Sequence, residues 1–187
     1  SRKLCKSTPN AHILDQYANN DNPDAHEEGT AVEIWDDFNG KIDMIVTGVG
    51  TGGTITGIAK YLKEKNPNIE IVGADPYGSI LGGGDDIHPY KVEGIGYDFF
   101  PDVLDNSLVD KYIKVNDQNS FDMARQLIKK EGLLCGGSSG TVVWAALQTA
   151  QKLKQGQNCL CILADGIRNY MSKFVADEWM EKNNFKK

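Results

Sequence analysis

Short apolar runs alternate with amphipathic segments along most of the chain, and this alternation predicts an α/β fold. The runs IDMIVT (Ile42–Thr47) and IEIVGA (Ile69–Ala74) are compact and β-rich, as in strands buried on both faces. We therefore expect an open, mostly parallel sheet with helices on both faces. The predicted strands are Ala11–Leu14, Ile42–Thr47, Ile69–Ala74, Val109–Val115 and Cys159–Ala164, and the predicted helices are Thr30–Phe38, Thr54–Lys65, Ser120–Lys130, one from the glycine cluster at Gly136–Gly140 to about Lys154, and Arg168–Lys182.

Two segments break the alternation. From the end of the first predicted strand to Gly29 the chain is polar and rich in Asn and Asp, which predicts a loop. Thr30 and Glu33 then have the spacing of a capping box, with Thr30 as the N-cap. Residues 75–108 are rich in glycine and proline and are predicted to be mostly irregular. A loop of that length is usually functional or mobile.

The charge balance narrows the classes of function. The net charge is −6 and the isoelectric point is ≈ 5.1, which argues against a nucleic-acid-binding surface because that surface needs clustered basic residues. No segment has the uninterrupted apolar length of a membrane span and no secretory signal opens the chain, so we expect a cytoplasmic protein. The first residue is Ser1 rather than Met, which we interpret as the start of a partial chain.

The cysteines and histidines do not predict a metal site. The four cysteines form no CxxC pair, and the three histidines do not fall at the spacings of metal ligands. Cys159 and Cys161 lie two residues apart in an apolar run, so we expect both thiols to be buried on the same side of a strand.

The first of two glycine-rich turns is GVGTGGT at Gly48–Thr54, between a buried strand and an amphipathic helix. Its glycines let an anion approach the backbone, and the N–H groups at the positive end of the helix favour phosphate, with Thr51 and Thr54 as further donors. The same residues match the dinucleotide fingerprint GxGxxG. Asp75 follows the next strand, where a ribose-binding carboxylate is expected, so a nucleotide-binding oxidoreductase is a second interpretation.

The second glycine-rich turn is GGSSG at Gly136–Gly140, again before a helix. Ser138 or Ser139 could cap that helix, or one of them could contact a ring nitrogen of a cofactor held by the first turn. The residues alone fit both interpretations. Neither serine has a histidine close in sequence, and GGSSG differs from the GxSxG turn, which argues against a serine hydrolase.

Four phrases taken together resemble the β-family of pyridoxal-phosphate (PLP) enzymes, which have fold type II. They are HILDQY at His12–Tyr17, GTGGT at Gly50–Thr54, GIGY at Gly94–Tyr97 and GGS at Gly136–Ser138. Within that family the cysteine synthases share GTGGT and a helix similar to YLKEKNP. The phrases DPYGSI, VEGIGYDF, EGLLCGGS and IRNYM are more similar to the cystathionine β-synthases. The resemblance covers essentially the whole chain, in order.

The resemblance implies roles for these residues. Ser138 would hydrogen-bond the pyridine nitrogen of PLP, and a neutral hydroxyl there makes the ring a milder electron sink, which suits β-elimination. On this interpretation Gln16 contacts the substrate. An ordinary polar side chain in a loop would account equally well for a glutamine at this position. Residues 1–15 would end a small N-terminal subdomain, and 16–187 would form the large PLP-binding subdomain. The implied phosphate ligands are Gly50, Thr51, Gly52, Gly53 and Thr54, and the implied substrate-end residues are Gln16, Gly94 and Tyr97.

The implied reaction is a β-replacement in a homodimer. It condenses L-serine with L-homocysteine to cystathionine, and it releases hydrogen sulfide when cysteine replaces serine. The family's Schiff-base lysine has no match here, because Lys3, Lys6 and Lys41 lack its sequence context. We expect that lysine upstream, together with any haem-binding segment, which animal members carry at their start. A cysteine synthase, which uses O-acetylserine, and a non-catalytic binding module are the remaining alternatives.

Overall fold

The apolar runs predicted as buried strands form the centre of a four-stranded, all-parallel sheet. In the computed structural model, which describes residues 1–186, the strands are β1 (Met44–Gly48), β2 (Glu70–Pro76), β3 (Lys111–Val115) and β4 (Cys159–Cys161). Their order in the sheet is β3-β2-β1-β4. The predicted parallel α/β architecture is therefore confirmed.

The helices surround the sheet, and several continue into turns of other helix types. The α-helices are α1 (Arg2–Ser7), α2 (Asp21–Ala25), α3 (Ala31–Asp37), α4 (Gly53–Lys65), α5 (Asp117–Gln126), α6 (Gly137–Thr149) and α7 (Asp177–Lys182). The π turns are His26–Thr30 and Leu127–Glu131, and the 3₁₀ turns are Asn106–Leu108, Ala150–Lys152 and Ile167–Tyr170.

Alternate residues of the central strands pack against helices on opposite faces of the sheet, which explains why these strands are apolar throughout. Ile45 and Ile71 are completely buried in a core that also contains residues of α3 and α4. Val46 and Val72 are completely buried in a second core, which contains residues of α6. Cys159 and Cys161 are half-buried and both pack against this second core, as expected for residues two apart in a strand.

A third apolar cluster joins α5 to the C-terminal segment. Phe121 of α5 stacks on Phe174 with ring centroids 5.4 Å apart, and Met180 of α7 is completely buried beside them. Val92 and Ile95, from the long irregular segment, belong to the same cluster. This packing connects α5 and α7 to the segment that carries the GIGY phrase.

The predicted strand at Ala11–Leu14 is wrong. Residues 11–15 have no regular structure, and Leu14 is 82% exposed. A strand requires a hydrogen-bonded neighbour, and none lies beside this segment among residues 1–186.

The predicted polar loop that ends at Gly29 is wrong over its second half. Residues 15–20 contain no helix or strand, but the residues from Asp21 form α2 and a π turn that runs without interruption into α3. Thr30 therefore already has helical dihedrals (φ −53°, ψ −43°) and does not cap a helix through its side chain. Its hydroxyl lies 2.9 Å from Nδ1 of His26 instead, so the proposed capping box is absent.

The observed boundaries of the other elements differ from the predicted ones by a few residues, except at the C-terminus. The helix after the second glycine turn ends at Thr149 and adds a 3₁₀ turn to Lys152, and β4 is shorter than predicted. The single helix predicted over Arg168–Lys182 is wrong. A 3₁₀ turn, a series of turns and the short α7 replace it, because Tyr170 and Phe174 are drawn into the aromatic cluster on α5.

Candidate active site

A cavity of ≈ 330 Å³ lies at the carboxyl edge of β1 and β4, in front of the N-termini of α4 and α6. Its volume falls at the lower end of ligand-binding pockets, roughly 300–1,000 Å³. Eight of the nine residues singled out from the sequence line it together. They are Gln16, Gly50, Thr51, Gly52, Thr54, Gly94, Tyr97 and Ser138.

The first glycine turn forms one wall of the cavity. Gly52 has φ +92°, the left-handed conformation that glycine adopts most readily. A Cβ on Gly50 would lie 2.8 Å from the carbonyl oxygen of Gly94, so this position needs glycine for close approach. The backbone N–H groups of Gly50, Thr51 and Gly52 donate to no acceptor within residues 1–186. These free donors, at the start of the thirteen-residue helix α4, form a site suited to an anion.

Two residues that the sequence did not single out support this turn from behind. Asn22 donates from Nδ2 to Oγ1 of Thr51 (3.0 Å) and to the carbonyl of Gln16 (2.8 Å). Nε2 of His26 lies 3.2 Å from Oγ1 of Thr54. Gly53, the ninth predicted residue, does not line the cavity, because it lies against the side chain of Asn22.

A regular spacing in the sequence could have revealed this support. Asn22, His26 and Thr30 are four residues apart, which places them on one face of a helix. The Asn- and Asp-rich composition of the segment, which predicts a loop, conceals this periodicity. Burial lowers the pKa of His26, which keeps the imidazole neutral between Thr30 and Thr54.

Ser138 lines the same cavity as the glycine turn at Gly50–Thr54, and it belongs to the first helical turn of α6. It is buried, and the N-cap of α6 is Gly136, so neither Ser138 nor Ser139 caps the helix. The capping interpretation is therefore wrong. The hydroxyl of Ser139 is completely buried beside Cys135, and burial raises the pKa of that thiol.

Gln16 and the GIGY segment form the remaining wall. The hydroxyls of Tyr97 and Tyr17 hydrogen-bond at 3.2 Å, and their rings meet edge to face. Burial and this hydrogen bond raise the pKa of Tyr97 to about 12, so its hydroxyl stays protonated at neutral pH. The N–H of Gly96 donates to the carbonyl of Val49 at 2.7 Å, which ties this wall to the glycine turn.

Asp75 is unsuited to the ribose contact of a dinucleotide site. Its carboxylate is completely buried and forms an ion pair with Lys114, with 2.7 Å between Oδ2 and Nζ. A ribose-binding carboxylate must be accessible to the ligand. This burial argues against the oxidoreductase interpretation, although the GxGxxG spacing is present.

The rest of the described chain adds few candidate sites. No group of three or more His, Cys, Asp or Glu side chains within residues 1–186 could hold a metal ion. In the same residues, none of the helices has the length and apolar character needed to cross a membrane. No side chain in the described lining of the cavity is charged.

Comparison with known proteins gives the family of the chain. Residues 1–165 match the family described as "Pyridoxal-phosphate dependent enzyme". The chain belongs to this family. It is 56% identical over 189 residues to cystathionine beta-synthase of Dictyostelium discoideum and 54% identical over 190 residues to that of Rattus norvegicus. These alignments cover 99% of the chain, but only 38% and 34% of the two relatives.

The chain is also similar to a relative that is named a cysteine synthase. A cysteine synthase of Helicobacter pylori is 41% identical over 175 residues, which cover 94% of the chain and 57% of that protein. The crystal structure of an O-acetylserine dependent cystathionine beta-synthase from Helicobacter pylori has a TM-score of 0.87 at 40% identity. It matches 92% of the chain, which corresponds to 56% of that structure. This family uses pyridoxal phosphate, and the resemblance stated from the sequence is confirmed.

Proposed function

We propose that these residues form the greater part of the PLP-binding region of a β-replacement enzyme that condenses L-serine with L-homocysteine. The observation that carries the proposal is the single cavity shared by the Gly50–Thr54 turn, Ser138, Gln16 and Tyr97. Serine would lose its β-hydroxyl as water, and the thiol of homocysteine would form the new carbon–sulfur bond.

The residues of the cavity fit the cofactor group by group. The free N–H groups of Gly50, Thr51 and Gly52, with the dipole of α4, would bind a phosphate without a basic side chain. The hydroxyls of Thr51 and Thr54 are held by Asn22 and His26 and would complete that site. Ile55 and Val142 provide apolar surface for the ring.

Ser138 would act on the cofactor and Tyr97 on the amino-acid substrate. When bound, PLP supplies an electron sink that stabilises negative charge at Cα of the amino acid. The neutral hydroxyl of Ser138 would face the pyridine nitrogen and moderate that sink. Tyr97, protonated at neutral pH, would donate a hydrogen bond to the amino acid, and Gln16 would orient its polar end. The lysine that would transfer the proton has no match among these residues, and we expect it in another part of the full-length protein.

The absorption spectrum of the full-length natural protein tests this proposal. With PLP bound, L-serine should move the visible band to longer wavelength, homocysteine should reverse the change, and cystathionine should appear by mass spectrometry. Failure of the full-length protein to bind PLP would overturn the proposal and favour the non-catalytic alternative.

A second candidate differs only in the donor amino acid. The similarity to a cysteine synthase and to an O-acetylserine dependent structure favours testing O-acetylserine as the donor. If kcat/KM with O-acetylserine exceeds that with serine about a hundredfold, a difference of about 2.7 kcal/mol in transition-state binding, the cysteine-synthase alternative is preferred. We also expect a cytoplasmic homodimer, which light scattering and fractionation of cells can check.

A further inference from the structure

Asp75 was singled out from the sequence, yet it does not reach the cavity. Its Oδ2 atom accepts hydrogen bonds from Nζ of Lys114 (2.7 Å) and from the backbone N–H of Gly82 (2.9 Å). The other oxygen, Oδ1, has no hydrogen-bond partner among the described residues. An ion pair with a completely buried carboxylate is weak evidence for stability, because desolvation of the charges offsets their attraction, so this ion pair needs an explanation beyond stability.

Lys114 connects this carboxylate to the loop that follows β2. Lys114 lies opposite Asp75 in the parallel register of β2 and β3. Besides the carboxylate, its ammonium group donates to the backbone carbonyl of Ser79. The ion pair therefore fixes the position of Ser79 relative to the sheet.

Ser79 in turn holds the backbone of Tyr97 on both sides. Its Oγ accepts from the N–H of Tyr97 (3.0 Å) and donates to the carbonyl of Tyr97 (3.1 Å). The N–H of Ile80 donates to that same carbonyl at 2.9 Å. Since Ser79 is only 2% exposed, water does not compete effectively for these bonds.

We propose that Asp75 and Lys114 are positioning residues for the substrate wall of the cavity. They act through Ser79 on the backbone of Tyr97, whose side chain lines the cavity. The inference rests on the proposed function, because it assigns this wall to the amino-acid substrate. The phosphate site lies on the turn between β1 and α4, so loss of the ion pair should affect substrate binding more than cofactor binding.

The test compares Ser79→Ala, Lys114→Met and Lys63→Met in the full-length protein. Lys63→Met is a control for the loss of a lysine in an ion pair of the same length, because Lys63 pairs with Asp110 at 2.7 Å and its side chain is 21% exposed against 20% for Lys114. The carboxylates differ, since Asp110 is 42% exposed and Asp75 is completely buried. Asp110 contacts the start of β2 through the N–H of Ile71 rather than the Tyr97 segment. Ser79→Ala leaves the ion pair intact, so the inference stays testable if Lys114→Met does not fold.

Ser79→Ala and Lys114→Met should each raise KM for L-serine about tenfold, with PLP affinity changed less than about twofold, whereas Lys63→Met should leave both near wild type. Hydrogen exchange gives a readout independent of turnover. The amide of Tyr97 should exchange about tenfold faster in the first two variants, and the amides of β1 should not.

Each outcome has one meaning. Active variants with the KM of the Lys63→Met control would overturn the positioning role. If the wild-type protein does not turn over serine, that result counts against the proposed function alone. The exchange of the Tyr97 amide then decides whether the ion pair holds this segment, and unchanged exchange would overturn the inference.

Discussion

At the scale of single residues, Gly52 combines a left-handed backbone with a crowded position in the first turn. A Cβ there would lie 2.5 Å from Cβ of Leu104, and φ is +92°. Gly52→Ala should therefore lower the free energy of unfolding by about 2 kcal/mol and weaken PLP binding about tenfold. Urea unfolding and titration with PLP measure the two effects.

Gly83→Ala is the control for backbone strain alone. Gly83 has nearly the same dihedral, φ +90°, but no atom lies within 4 Å of the position that a Cβ would take, and the residue does not line the cavity. We expect a loss of about 1 kcal/mol with unchanged PLP affinity. Equal PLP affinities in the two variants would show that the shape of the Gly52 turn does not matter for the cofactor.

His26 makes the stability of the fold sensitive to acid. Burial lowers its pKa, so on acidification the unfolded chain takes up a proton at this histidine before the folded chain does. The free energy of unfolding should then fall as pH decreases below about 6.5, the value for an unfolded histidine. His26→Gln should reduce this fall in urea unfolding measured at several pH values, whereas His12→Gln, at an exposed residue, should not. Identical acid profiles for wild type and His26→Gln would contradict this.

At the scale of elements, the contact between α4 and the α2 segment forms the back of the proposed phosphate site. A Cβ on Gly57 would lie 2.1 Å from the carbonyl oxygen of Pro23, so the helices approach at a glycine. Gly57→Ala should separate them, destabilise the protein by about 2 kcal/mol and weaken PLP binding, because Asn22 and His26 would move with α2. Thermal unfolding and PLP titration can check this.

The π turn at His26–Thr30 provides a control substitution whose expected effect on stability has the opposite sign. Gly29 has no atom within 4 Å of a Cβ position, so Gly29→Ala should stabilise the segment by about 0.5 kcal/mol through helix propensity. If Gly57→Ala proved as harmless as Gly29→Ala, the close helix contact would not be needed for the site.

The elements also show what the sequence could predict. The apolar runs of β1 and β2 and the helical spacing of apolar residues in α4 are local patterns, and the prediction of these three elements is confirmed. The segment at Asp21–Thr30 has a turn-like composition, and only its packing on α4 makes it helical. The path of residues 168–182 depends on aromatic contacts with α5, which no local pattern encodes.

At the scale of the whole molecule, two glycine-rich turns from distant parts of the chain meet at one edge of the sheet, the first after β1 and the second between the π turn Leu127–Glu131 and α6. Both β1 and β4 end at this edge, and both α4 and α6 begin there. Parallel strands place their carboxyl ends at one edge of the sheet, where the turn after β1 lies. The second turn (Gly136 is 84 residues after Gly52) reaches the same cavity from the segment before α6. Sequence motifs identify these two turns, whereas the residues behind the cavity, Asn22 and His26, are identified only by their side-chain contacts in the structure.

The burial of two tyrosines, Tyr97 and Tyr112, predicts how the stability of the whole molecule changes at alkaline pH. Burial raises the pKa of Tyr97 to about 12, and burial with the nearby charge of Asp75 raises the pKa of Tyr112 as well. Above about pH 10 the unfolded chain loses phenolic protons that the folded chain retains, so the free energy of unfolding should fall as pH rises. Tyr112→Phe should reduce that slope by at most about 1.4 kcal/mol per pH unit, less where solvent screens the partly exposed ring.

Urea unfolding at a series of alkaline pH values measures this slope, and Tyr77→Phe provides the control, since Tyr77 is 51% exposed. Tyr112 also donates to Oδ1 of Asn106 at 2.6 Å, so the phenylalanine variant should be less stable at neutral pH and yet lose less stability on going to high pH. This crossing of the two profiles distinguishes a titrating group from a simple loss of contacts. Parallel profiles for wild type and Tyr112→Phe would mean that Tyr112 does not contribute to the alkaline transition.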